Sequence, residues 1–149
     1  MEKSNMTWTL ISATPSPYAR KVRIALAEKK LPFTLQTEVP WDTTTQTPQY
    51  NPLEKLPVLI LDDDDNNNEA IYESHYILEW LEAKHPRPAL LPPPEAVDDR
   101  LFASKVQVLC DGICDALVLA FFEKQRAAPS EEWTARYLIR SIAFLTSAS

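Results

Sequence analysis

Apolar and polar residues along the first third of the chain follow two different periods. Thr7–Ser12 (TWTLIS) is a short β-prone run that leads into a proline-containing turn, Ala13–Pro17 (ATPSP). From Tyr18 to Lys30 the apolar positions Tyr18, Val22, Ala25 and Leu26 recur at helical spacing, which leaves Arg20, Lys21, Arg23, Lys29 and Lys30 for solvent. Phe33–Val39 (FTLQTEV) then alternates apolar with polar, as a half-buried strand does. Together the three predict a parallel strand–helix–strand unit.

After a polar Thr/Gln-rich stretch, Lys55–Leu61 (KLPVLIL) and Glu69–Tyr72 (EAIY) read as two strands of a hairpin around Asp62–Asn68. That Asp/Asn run lacks the alternating ligands and closing Glu of an EF-hand, so a solvated hairpin tip is expected. Ser74–Lys84 returns to helical spacing through Ile77, Trp80 and Leu81, with Ser74 placed to cap it. His85–Pro94 (HPRPALLPPP) holds five prolines, which exclude regular helix and mark a stiff linker. The expected organisation is therefore residues 1–84 as one domain, 85–94 as linker and 95–149 as a helical domain. In the last, Val97, Leu101, Leu109, Ile113, Leu117 and Phe121 form one apolar row and Phe102, Val106, Cys110, Cys114 and Phe122 a second. So wide a stripe needs two partners. Another helix is expected over Glu131–Leu145, after Pro129–Ser130.

Composition narrows the function classes. A net charge of −6 argues against nucleic acid or an anionic membrane as the main partner, so any anion site must be local. No apolar run approaches the roughly 18 residues of a membrane span. Met1–Met6 is polar and lacks a secretory signal's apolar core, which makes the cytoplasm the expected location. Cys110 and Cys114 sit four apart in a helical stretch with no His or further Cys near them, and are expected to be a buried apolar pair rather than a redox or metal site.

Three short features carry candidate chemistry. Ser16-Pro17-Tyr18 is good helix-start chemistry, a cap followed by Pro at the first helical position. The same geometry offers free N–H groups, partial positive charge and a serine hydroxyl, which together favour a bound thiolate. In Asn51-Pro52-Leu53-Glu54-Lys55-Leu56-Pro57, Pro57 is either a plain strand-start proline or part of a cis Leu56–Pro57 bond that turns the Leu56 backbone outward for a peptide ligand. Glu73-Ser74, at a strand-to-helix junction, is either a cap or a holder for an α-amino acid head group. In the second case the carboxylate takes the ammonium, and the hydroxyl and N–H groups take the carboxylate.

Taken in this order within this β-α-β-β-β-α-like spacing, the three motifs resemble the glutathione transferase family, particularly its serine-type branch with small bacterial and fungal relatives. The resemblance runs from about Thr7 to the end of the chain. It implies an α/β thioredoxin-like N-terminal domain with a mixed four-stranded sheet, followed by a truncated all-α domain, since the family's pattern continues through several more helices. It also implies that Ser16 activates the thiol of glutathione, bound as co-substrate, for conjugation to a small electrophile. Leu56 would pair its backbone with the cysteinyl unit next to a cis Pro57, Glu73 and Ser74 would hold the γ-glutamyl group, and Lys55 would approach the glycyl carboxylate. Asp111, on the first long helix of the second domain, would face the partner's site across a homodimer. Such chemistry requires no metal. Glu54 stands where the family's pattern has Gly. The alternative reading is a non-catalytic glutathione-binding or dimerisation module of the same fold.

Overall fold

The computed structural model describes residues 8–62 and 69–136. Its order is β1 (Trp8–Ser12), α1 (Pro17–Glu28), β2 (Phe33–Thr37), α2 (Thr47–Tyr50), β3 (Val58–Leu61), β4 (Glu69–Tyr72), α3 (Ser74–Lys84) and α4 (Val97–Glu123). Residues 131–136 are helical as well; the rest of the helix expected to Leu145, and the tip at 63–68, lie outside the described residues. Contacts divide the chain into two compact units, Met1–Leu91 and Pro92–Ser149.

In the first unit the strands form one mixed sheet in the order β2-β1-β3-β4. β1 runs parallel to β2 and antiparallel to β3, and β4 is antiparallel to β3. This is the thioredoxin-like sheet. Period-2 alternation divides its side chains between two faces. Trp8, Leu10, Leu59, Leu61 and Ile71 join Val22, Ala25 and Leu26 of α1 and Ile77 and Leu81 of α3 in the main core. Ile11, Val58 and Ile60 face the other way, where Tyr50 of α2 packs on them. Both sheet faces are thus occupied, which is why β3 reads as an unbroken apolar run.

The C-terminal ends of α1 and α3 are tied together. Lys29 Nζ lies 2.7 Å from Glu82 Oε2 and donates to the carbonyls of His85 at 2.7 Å and Pro88 at 2.9 Å. Glu82 in turn accepts from the Leu90 N–H at 3.2 Å. The Lys29 side chain is fully buried, which corrects the expectation that it faces solvent. Its position in the helical period is ambiguous, and the Pro-rich segment closing over the helix end decides the matter. Next to this lock, Trp8, Trp80 and His85 meet with ring centroids 5.2–5.7 Å apart.

The sequence has a single glycine, Gly112, inside α4, so left-handed positions fall to residues that carry a Cβ. Lys30, Glu54 and Glu73 take the positive φ values instead, at 56°, 54° and 73°. Lys30 closes a Schellman-type end to α1, with Leu31 N–H donating to Leu26 O and Lys30 N–H to Ala27 O, each at 3.0 Å.

In the second unit, α4 buries Ala116, Ala120 and Glu123, a row of small residues ending in a carboxylate that accepts from the Ser130 N–H at 2.8 Å. Leu101, Phe102, Val108 and Phe121 are exposed. The expectation of a buried cysteine pair is corrected likewise, since Cys110 is exposed and Cys114 half-buried. Both belong to the wide apolar stripe, and the buried row of α4 lies outside that stripe.

Candidate functional site

The sheet register brings the motif residues to one edge. Ile11 of β1 pairs with Gln36 of β2 and Val58 of β3, and Val58 pairs with Tyr72 of β4. The residues just beyond this row therefore lie along the same end of the sheet: the turn to Ser16 after β1, Glu38 after β2, Lys55-Leu56-Pro57 before β3, and Glu73-Ser74 after β4. α1 and α3 both start at this edge, so two helix N-termini with their partial positive charge converge on it.

Ser16 is the N-cap of α1, with extended backbone, and its Oγ accepts from the Ala19 N–H at 3.2 Å. That bond uses an acceptor lone pair of the hydroxyl, which keeps its O–H as a donor. Pro17 occupies the first helical position, where its missing N–H costs nothing.

The Leu56–Pro57 bond is cis. Pro57 is buried and Leu56 half-buried, while Lys55 is exposed. Asn51 holds this turn from beneath. It is 1% exposed, its Nδ2 donates to the Lys55 carbonyl at 2.8 Å and its Oδ1 accepts from the Leu53 N–H at 2.9 Å. The left-handed φ of Glu54 supplies the physical reason for a glycine at that place in the family's pattern.

At the third motif the capping assignment is corrected. Glu73, not Ser74, caps α3: its Oε2 accepts from the His75 N–H at 3.0 Å and the Tyr76 N–H at 3.4 Å, and Ser74 is the buried first residue of the helix. Whereas Ser16 caps α1 from extended backbone, Glu73 caps α3 from positive φ. A residue held in that region costs about 1–3 kcal/mol and is a common mark of a ligand site. Oε2 accepts from the two N–H groups, and Oε1 has a long 3.5 Å contact from Ser74 Oγ.

Asp111 lies half-buried on α4, in the second unit, and is not among the residues that the sheet register gathers. The roles of two further residues were not foreseen from the sequence, although Asn51 opens the second motif. Glu38 binds the α2 segment, and Asn51 the Lys55 turn. The available signal was a strand-end carboxylate followed by the hydroxyl-rich run Thr43–Thr47, which supplies donors for it. An open polar cleft of about 330 Å³ lies beside it, lined by Gln36, Glu38, Asp42, Thr44 and their neighbours.

Residues 15–84 match the family of the glutathione S-transferase N-terminal domain. A glutathione transferase family member of Pseudomonas fluorescens, crystallised with bound glutathione, superposes with a TM-score of 0.77 at 31% identity, over 94% of this chain and 70% of that one. The chain belongs to the glutathione transferase family. A glutathione S-transferase of Methylobacterium radiotolerans, in complex with glutathione sulfonate, is 58% identical with a TM-score of 0.84, over 95% of this chain and 66% of that one. Among curated relatives, the uncharacterised GST-like protein YibF of Escherichia coli is 34% identical over 124 residues, 82% of this chain and 57% of YibF. The chain thus spans little more than half the length of that relative. No described helix is long and apolar enough to cross a membrane.

Proposed function

We propose that this transferase-family chain binds glutathione at the sheet edge where α1 and α3 begin, and activates its thiol for attack on a small electrophile. The observation that carries this reading is the register, which gathers Ser16, Lys55-Leu56-Pro57 and Glu73-Ser74 on one edge although they are far apart in sequence. The glutathione bound by the Pseudomonas relative supports it.

In this reading the Ser16 hydroxyl donates to the sulfur, and the α1 N-terminus favours the thiolate over the thiol. Lowering the thiol pKa raises the fraction of nucleophile at working pH, and the second substrate need only be held nearby. Leu56 pairs its backbone with the cysteinyl unit beside Pro57. Glu73 Oε1 holds the γ-glutamyl ammonium and the α3 N-terminus with Ser74 its carboxylate; Lys55 meets the glycyl carboxylate. Residues 1–84 carry this site, 85–94 form the linker, and 95–149 supply a helical domain through which a cytoplasmic homodimer places Asp111 toward the partner's site. Exposed apolar residues of α4 such as Val108 and Phe121 support assembly through that domain.

The test is the pKa of the bound thiol, read by ultraviolet thiolate absorbance. Ser16→Ala is expected to raise it while weakening glutathione binding much less. An unchanged thiol pKa would leave Ser16 as a helix cap alone. Retention on immobilised glutathione without turnover of a generic aryl halide would favour a binding module instead of an enzyme.

A further inference from the structure

Glu38 has no part in the reading above, yet its carboxylate is heavily engaged. It accepts from Gln36 Nε2 at 2.7 Å, Thr45 Oγ1 at 2.6 Å and Thr47 Oγ1 at 2.9 Å, and from the N–H groups of Gln46 at 3.0 Å and Thr47 at 3.2 Å. Its own N–H donates to the Ser12 carbonyl at 2.8 Å, which fixes it to the end of the central strand. Burial pushes the carboxyl up, but the bonds from Thr45, Gln36, Thr47 and Gln46 outweigh that and hold it below its ordinary value of 4.5. It is therefore an anion at neutral pH.

This carboxylate does for α2 what a cap residue does elsewhere. Gln46, at the N-cap position, makes no side-chain cap bond, so the amides at the start of α2 turn to a group from the neighbouring strand. The bonds continue beyond α2. Asn51 N–H donates to Thr47 O at 2.9 Å, Glu54 N–H to Asn51 O at 3.0 Å, and Asn51 Nδ2 to Lys55 O at 2.8 Å. An unbroken path of hydrogen bonds thus runs from the end of β1 through Glu38, Thr47 and Asn51 to Lys55. Ser16, Glu73 and Ser74 hang on other elements with caps of their own. Pro57 precedes Val58, which is fixed by its pairing with Ile11. Lys55 is the edge residue whose backbone carbonyl this path holds.

We propose that Glu38 is a positioning residue that places Lys55 for the glycyl end of the tripeptide, and so sets the preference for glutathione over a dipeptide lacking glycine. The proposal rests on the glutathione reading above. It gives the polar, Thr-rich segment after β2 a task in specificity: a chain of short polar bonds is stiff, and stiffness at Lys55 lowers the ordering cost of meeting a carboxylate.

The experiment is a calorimetric titration of glutathione and of γ-glutamylcysteine into the full chain, its Glu38→Gln variant, and two variants at Thr47. Glu38→Gln and Thr47→Val are expected to weaken glutathione binding about tenfold while changing γ-glutamylcysteine binding by less than about twofold. Thr47→Ser keeps the hydroxyl and should bind like the parent, which a mere change of packing at this buried site would not explain. If Glu38→Gln fails to fold by circular dichroism, the Thr47 pair decides alone. Equal losses for both ligands, or no loss for glutathione, overturn the role of Glu38, as does a parent that does not distinguish the two ligands. A parent that binds neither overturns the glutathione reading and this inference with it, whereas a parent that binds glutathione alongside unaffected variants overturns only the latter.

Discussion

Replacing Lys29 by Met tests the lock that joins the far ends of the two site-bearing helices. The substitution keeps most of the aliphatic stem and removes the ammonium, hence one ion pair at 2.7 Å and two charge-assisted bonds to carbonyls at 2.7 and 2.9 Å. Such bonds are worth about 1.5–3 kcal/mol each, but they do not simply add. Pro88 is exposed, so water can replace the ammonium there, and Glu82 keeps the Leu90 N–H. Breaking a buried pair by removing one partner typically costs about 3–5 kcal/mol, and with Glu82 17% exposed the lower end, about 3 kcal/mol, is expected. Because the chain has two compact units, the readout is hydrogen exchange at the amides of β1 and β3, not a single melting curve. The loss should also depend on pH. Burial pushes the Glu82 carboxyl up, but the Lys29 ammonium and the Leu90 and Leu91 amides outweigh it and hold it below its ordinary value of 4.5. A carboxyl with a depressed folded pKa contributes stability that is fully present above the ordinary value and is lost as pH falls through the folded one. The gap between parent and Lys29→Met is thus widest at neutral pH and narrows below about pH 4.5. A loss under about 1 kcal/mol, or a gap that stays constant into acid, would refute this account of the lock.

Other substitutions address the edge itself. Glu73→Gln keeps an oxygen for the His75 and Tyr76 amides but gives up the charge facing a ligand ammonium; calorimetry should show glutathione affinity falling roughly fivefold to tenfold, with exchange protection of α3 unchanged. Equal affinity would remove Glu73 from the head-group role. Glu54→Gly and Lys30→Gly each relieve a left-handed residue, worth roughly 1–2 kcal/mol, against the roughly 0.5–1 kcal/mol of extra chain entropy that glycine loses. Each should gain up to about 1.5 kcal/mol, read by hydrogen exchange at the amides of the first unit, and Val at either position should lose stability.

The local periods and stop signals of the sequence were enough for β4, α3 and the start of α4, because alternation, helical spacing and proline act over a few residues. The motif residues were legible for the same reason: a cap, a helix-start Pro and a strand-start Pro are local patterns. What gathers them into one site is the strand order, and the resemblance to a known family, not the periods, supplied it in advance. Four-residue α2 has too few positions for a period to show, and its cap comes from Glu38, eight residues upstream of Gln46.

Burial of individual polar groups was decided by tertiary structure alone. Lys29 and Lys30 are adjacent cations at one helix end, and nothing in their own neighbourhood separates them. Lys29 is buried because Glu82, His85 and Pro88 arrive from more than 50 residues away with acceptors for all of its charge, while Lys30 turns into left-handed backbone and solvent. Glu73 rather than Ser74 took the cap of α3, with its backbone at positive φ, and Ser74 became the buried first residue of the helix. A sequence specifies which groups need partners, and only the packed chain determines which of them find one.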